Sequence, residues 1–437
     1  MKKIKGMMFS LGKPKPLFQA DDFCLYAVAV GFFILEVYML FSLALIFLVG
    51  LSAAAIFSAL KLPRIVGMLG VGIVIGPYVL DWLDPSILGI SSELRQIALI
   101  IILIKAGITL NLSDLKKVGR PAVLMSFLPA CFEMLGYFLI APHILGVSRV
   151  EAAVMGAVLS AVSPAVVVPR MVNLIETKYG TEKSIPQMIL AGASCDDIFV
   201  IVLFSTFVAM AQGGSANVAD FVNIPVSIIL GVLLGIAAGF ALYFLFKIFR
   251  EKRNIRASIK VIIILGVSFL LMSVETALKG YVALSGLLAV VSMACVIKLK
   301  CPAEVSKKLS DKFGKLWLAA EVLLFVLVGA AVDIRYTMTS GAGAMIGMIF
   351  IALAIRAVGV ILCMLGTKLN FKERLFCVIA YLPKATVQAA IGSVPLSLGL
   401  PCGKIVLSVA VLAIVITAPL GAFGIDLSYK RLLQKEE

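Results

Sequence analysis

The chain has 437 residues, a formal net charge of +15, 62% hydrophobic residues and only 14% charged ones. Soluble globular proteins are about 45–50% apolar and about 25% charged, so a globule of this composition would lack the polar surface to stay dissolved. The basic excess does not point to nucleic acid, because the lysines and arginines gather on no single motif and fall between apolar segments.

Residues 1–38 combine a basic stretch, MKKIKGMMFSLGKPKPLF, with an apolar one, CLYAVAVGFFILEVYML, that is interrupted by Glu36. The apolar part reads as an extra span, a surface helix, a signal peptide without an A-x-A-like cleavage site, or a segment ahead of a start at Met39. From there the hydropathy predicts thirteen spans, over roughly 39–60, 64–79, 93–110, 121–143, 148–172, 187–211, 221–249, 257–274, 281–298, 315–331, 342–366, 373–397 and 402–424. Apolar segments near 20 residues long suit helices crossing a bilayer, whereas barrel strands of about 10 residues would alternate in polarity, and none here do. The expected fold is an all-α polytopic membrane protein with 13, or with the extra segment 14, transmembrane helices.

Alternating the loops across the membrane puts 26 lysines and arginines on one side, from Lys61 and Arg64 to the tail at Lys430, Arg431 and Lys435. Only Arg95, Arg149, Lys279, Arg335 and Lys404 fall on the other. The positive-inside rule makes the first side cytoplasmic, together with the tail 425–437, and the expected location is the cell membrane. The eight cysteines form no CxxC, the single histidine is His143, and neither a GxGxxG nor a Walker A occurs. No enzyme activity and no cofactor are expected.

SAVSPAVVVPR at 160–170 and AYLPKATVQAA at 380–390 each place a helix breaker inside a span, followed by small and β-branched residues. Superposing Ala165 on Ala385 also brings Glu133 to within a few residues of Arg356. The chain then divides into a first repeat of six spans (39–211), a linker helix (212–249) and a second repeat of six (250–424). Equivalent spans are seven apart, so the second repeat is upside down. Inverted repeats with helices broken near the midplane are the pattern of secondary transporters.

Broken helices free backbone groups that must be satisfied by protein, water or an ion. The breaks draw attention to Ser163 and Pro164 in the first and to Pro383, Lys384 and Thr386 in the second. The ionisable residues inside spans are Lys105, Glu133, Asp196, Asp197, Glu321, Arg356 and Lys384. Each would cost about 2.5–3.5 kcal/mol at a helix centre, so each needs a partner or a purpose. Asp196 and Asp197, in GASCDDIFVI, are adjacent on a helix and point about 100° apart. Such a pair can hold a proton or a small hard cation, or can be neutralised by Arg or Lys for packing alone. Glu133 and Arg356 are expected to form a structural ion pair, Lys384 to offset a helix C-terminus or meet an aspartate, and Lys105 and Glu321 to snorkel or to sit as interface charges.

The stretches LRQIALIIILIKAGITLNL, AVSPAVVVPRM, GASCDDIF and LPKATVQAAIG, in this order, resemble the NHA branch of the sodium/proton antiporters, within the cation:proton antiporter superfamily, over residues 39–424. The resemblance implies that Asp196 and Asp197 form the ion site, with Asp197 the more essential, and that the unwound segment maps to Ser163 and Pro164. It places the family's basic residue at Arg356, where bacterial relatives carry a lysine, and the lysine of the second break at Lys384. It also implies a homodimer with a mobile core. The expected activity is exchange of Na⁺ or Li⁺ for H⁺ across the bilayer, the alternatives being K⁺/H⁺ antiport and a non-transporting sensor or scaffold. An unshared aspartate pair would release two protons per Na⁺; an aspartate locked to Arg356 or Lys384 would leave one.

Overall fold

The computed structural model describes residues 20–109, 119–212, 218–252, 256–278 and 284–436. Residues 1–19, with the whole of the basic N-terminal stretch, and Lys116, Lys117, Arg253 and Lys279 lie outside them. The described residues are helical apart from connections, with one isolated bridge between Tyr179 and Lys435. Nine helical stretches among them are long and apolar enough to cross a membrane, from Tyr38–Ala59 to Gly403–Leu432. The chain is a multi-pass membrane protein.

The helices run α1 (Ala20–Ala59), α2 (Arg64–Ile75), α3 (Pro85–Gly89), α4 (Ser91–Thr109), α5 (Arg120–Met125), α6 (Leu128–Leu145), α7 (Arg149–Leu159), α8 (Pro164–Glu176), α9 (Ile185–Gln212) and α10 (Val218–Lys252). They continue as α11 (Ala257–Leu278), α12 (Gly286–Lys300), α13 (Ala303–Ala330), α14 (Ile334–Thr339), α15 (Ala342–Cys363), α16 (Phe371–Ala380), α17 (Thr386–Gly392), α18 (Val394–Ser397) and α19 (Gly403–Leu432). Local chemistry explains several boundaries. Ser148 with Glu151 and Asn370 with Glu373 form capping boxes that start α7 and α16. Gly146, at φ +67°, closes α6 in the left-handed conformation.

Two sets of helices meet along a long seam. The first set packs α2 and α4 against α13, α4 and α10 against α12, and α1 against α2. A Cβ on Gly72 would lie 2.0 Å from the Val326 carbonyl oxygen, and one on Gly329 would lie 2.3 Å from that of Leu69. Mutual glycines thus let α2 and α13 cross at backbone contact, as small residues do between membrane helices. The second set packs α6 against α15 and α7, α9 against α5, α7 and α8, and α16 against α19. Helices α9 and α17 of the second set face α12, α4 and α13 of the first.

Several expectations change in detail. Residues 22–38 continue α1 without a turn. Forty residues at 1.5 Å each make a helix of about 60 Å, twice the hydrocarbon thickness. Arg95, counted with the residues of the outer side, is only 6% exposed because it packs against α13, where its Nη1 donates to the Leu327 carbonyl at 3.3 Å. Lys260 is likewise buried in the first turn of α11, with its ammonium 5.5 Å from the Phe246 ring centroid. Of the two readings of Glu321, the interface charge is the one present: it is buried and pairs with Arg64 at 3.5 Å, between α13 and α2.

The two breaks are where expected, and they touch. Residues 160–163 separate α7 from α8, with Ser163 extended and Pro164 opening α8. Residues 381–385 separate α16 from α17. The Ser163 N–H donates to the Pro383 carbonyl at 2.8 Å. A Cβ on Gly421 would lie 2.3 Å from the Pro383 ring, so this glycine lets α19 run directly beside the second break.

Candidate functional site

The crossing of the breaks is surrounded by charge. Glu133 comes from α6, Arg356 from α15, Asp196 from α9 and Lys384 from the second break, and none is more than 1% exposed. Arg356 Nη1 donates to Glu133 Oε2 at 2.7 Å, and Nη2 reaches Asp196 Oδ2 at 3.4 Å. The same guanidinium donates through Nη1 to the Ser160 carbonyl and through Nε to the Tyr381 carbonyl at 2.9 Å. These carbonyls follow the C-terminal ends of α7 and α16, where partial negative charge collects, so one cation offsets both half-helix ends. It serves four acceptors on four segments. A lysine has three donors and no fixed fork, and could not reproduce this arrangement.

The expected pair of Glu133 with Arg356 is present, but it is part of a larger network. Lys384 Nζ also donates to Glu133 Oε2, so Lys384 meets the glutamate and not an aspartate. The Lys384 backbone N–H donates to Thr417 Oγ1 at 2.9 Å. Asp196 Oδ2 accepts from the Val162 N–H at 2.7 Å as well as from Arg356. Of the two arrangements left open, the geometry matches the one with an aspartate at Arg356: Asp196 is held by a guanidinium and a backbone amide.

Asp197 stands apart. It is half-buried, and its Oδ1 has no hydrogen-bond partner among the described residues. It borders a cavity of about 20 Å³, room for about one water molecule, with Leu103 and Ala106 of α4 and Thr386 and Ala390 of α17 on the other walls. The cavity lies on the seam between the two sets of helices. Asp196 Oδ1 and Ser163 Oγ are likewise buried without a partner. The atoms left open around the crossing are thus hard oxygens, the donors that suit hard cations. Pro164 and Pro383 shape the breaks without offering a side-chain ligand.

Two residues at the crossing are absent from the sequence expectations. Gln388, on α17, and Thr417, on α19, satisfy backbone groups that the breaks leave open. A polar amide three residues beyond a predicted break, inside an apolar run, is a usable signal for Gln388. Thr417 carries no comparable signal, since a threonine in a membrane helix can bond its own preceding turn.

Residues 34–427 match the family described as "Sodium/hydrogen exchanger, transmembrane". Human Sodium/hydrogen exchanger 9B2 is 36% identical over 358 residues, covering 79% of this chain and 65% of that protein's length. The mouse 9B2 protein is 33% identical over 423 residues, covering 91% of this chain and 74% of its own length. Human Sodium/hydrogen exchanger 9B1 is 32% identical over 359 residues, covering 79% of this chain and 67% of its own length. Among solved structures, the sodium proton antiporter MjNhaP1 from Methanocaldococcus jannaschii superposes with a TM-score of 0.74 at 22% identity, over 92% of this chain and 99% of its own. That likeness shows a shared fold.

Proposed function

Because this chain belongs to the sodium/hydrogen exchanger family, we propose that it is a secondary active transporter exchanging Na⁺ or Li⁺ for H⁺ across the cell membrane. The observation that carries this reading is a balance of charge. Two buried cations, Arg356 and Lys384, stand against two buried anions, Glu133 and Asp196. Asp197 is left over, with one oxygen unpaired at a cavity that admits about one small particle.

A bare carboxylate beside the apolar side chains of α4 is unfavourable, because desolvation of an unpaired charge is expensive. A proton or an alkali cation on Asp197 removes that penalty. The set of helices carrying the crossing slides past α4 when Asp197 is occupied and stalls when it is bare, so the two ions exchange and do not leak. Ser163 Oγ and Asp196 Oδ1 complete the cation's shell, Thr386 lines its path, and Glu133 with Arg356 holds the crossing together. On this reading one proton exchanges for one Na⁺, because Asp196 is already neutralised.

The architecture that goes with it is thirteen spans from residue 39 on, in two inverted repeats of six around the linker helix α10, with the C-terminus cytoplasmic and the protein a homodimer. The nearly constant offset between the breaks, and the packing of α6 on α15, are what two such repeats would produce. The relatives' printed names give Na⁺ and H⁺ as the ions.

Everted membrane vesicles with a pH-sensitive dye test the proposal. NaCl and LiCl should dissipate an imposed pH gradient, while KCl at the same concentration does so weakly. Equal responses to Na⁺ and K⁺ would make the assignment of the cation wrong. No response to any of the three would remove the antiport reading.

A further inference from the structure

Gln388 is fully buried and spans the two breaks with one side chain. Its Oε1 accepts from the Ala385 N–H at 2.8 Å, at the start of α17. Its Nε2 donates to the Ala161 carbonyl at 2.8 Å and lies 3.5 Å from that of Leu159, in and beside the first break. The Ala161 carbonyl and the Val162 N–H belong to the same peptide plane. One edge of that plane is held by Gln388 and the other by Asp196 Oδ2, at 2.7 Å.

We propose that Gln388 is a positioning residue for ion exchange, which orients the Ala161–Val162 peptide so that Asp196 keeps one carboxylate oxygen bound and turns the other to the transported cation. The chain of contacts has a direct consequence. With the Ala161 carbonyl held, the peptide cannot rotate without losing two buried hydrogen bonds. With the Val162 N–H held in place, Asp196 Oδ2 stays on it and beside Arg356, and Oδ1 is the oxygen left open. Ser163, the next residue, is anchored through its own N–H to the Pro383 carbonyl, so Gln388 and Ser163 clamp the first break at neighbouring peptides. The residue acts through the backbone and does not touch the ion.

This inference rests on the proposed Na⁺/H⁺ exchange, and the experiment separates the two. Purified full-length protein in proteoliposomes is assayed for exchange over a range of Na⁺ concentrations, alongside its thermal unfolding. Wild type without Na⁺-dependent exchange would remove the proposed function itself. Given an active wild type, Gln388→Met keeps the volume and removes both hydrogen-bonding ends. Its KM for Na⁺ should rise about tenfold, equivalent to about 1.4 kcal/mol of lost cation binding. Gln388→Glu keeps an acceptor for the Ala385 N–H and replaces the donor to Ala161 with oxygen; its KM should rise as well. A Gln388→Met protein that melts earlier but has an unchanged KM would overturn the proposal, since the residue would then only hold the fold. A Gln388→Glu protein with wild-type KM would also overturn it, because the cap on α17 alone would then suffice. If Gln388→Met does not accumulate, the KM of Gln388→Glu decides the matter.

Discussion

Asp196 and Asp197 are neighbours on α9 that meet opposite surroundings. The Asp196 side is a network in which two anions, two cations and the backbone of both breaks bond to one another, leaving Asp196 Oδ1 open. The Asp197 side offers aliphatic walls, a threonine and a cavity the size of a single small particle. Adjacency on a helix separates two side chains by about 100°, enough to send one into each environment. The pairing shows how a buried site can carry one uncompensated charge. The other charges cancel locally, and the remaining one faces the seam along which the helices meet.

Removing the uncompensated side should have the largest effect. Asp197→Asn is expected to reduce Na⁺-dependent exchange to the level of empty vesicles. Its thermal unfolding in detergent should match or exceed that of wild type, since no ion partner is stranded. Normal turnover in this variant would place the ion elsewhere and dissolve the contrast between the two sides.

The network side should respond in the opposite sense. Glu133→Ala leaves Arg356 and Lys384 facing Asp196 alone, and breaking a buried ionic pair costs about 3–5 kcal/mol. A large fall in melting temperature or folded yield is expected, with little change in the apparent Na⁺ affinity of the surviving protein. A well-folded Glu133→Ala protein that no longer exchanges ions would move Glu133 from the scaffold into the site.

The smallest effect is the one that sharpens the comparison most. If Asp196 stays neutralised, one proton exchanges for one Na⁺ and no net charge moves. In proteoliposomes with fixed Na⁺ and pH gradients, the point of zero flux should then stay in place when a potassium–valinomycin potential is stepped. A net charge would couple at about 2.3 kcal/mol per 100 mV, so a shifting null point would show that both aspartates unload in each cycle.

Much of this was legible in the chain. The apolar segments, the positions of both breaks and the acidic pair follow from composition and local pattern, because hydrocarbon thickness and backbone satisfaction act on each segment separately. Glu133 and Arg356 could be paired in advance because the internal offset relates their spans. The extent of the network could not, since Lys384 and Glu133 are 251 residues apart in the chain and meet only where α6 packs beside the second break.

The sequence by itself determined that the protein lives in a membrane, that two of its helices are broken and that carboxylates sit in an apolar setting. Each is a property of a short segment and its solvent. Tertiary structure alone decided which carboxylate is spent on Arg356 and which stays open, that Arg356 serves both half-helix ends, and that Gln388 joins the two breaks. Those outcomes depend on which hydrogen-bonding groups from distant segments arrive within about 3 Å of one another, and a linear pattern carries no such distance.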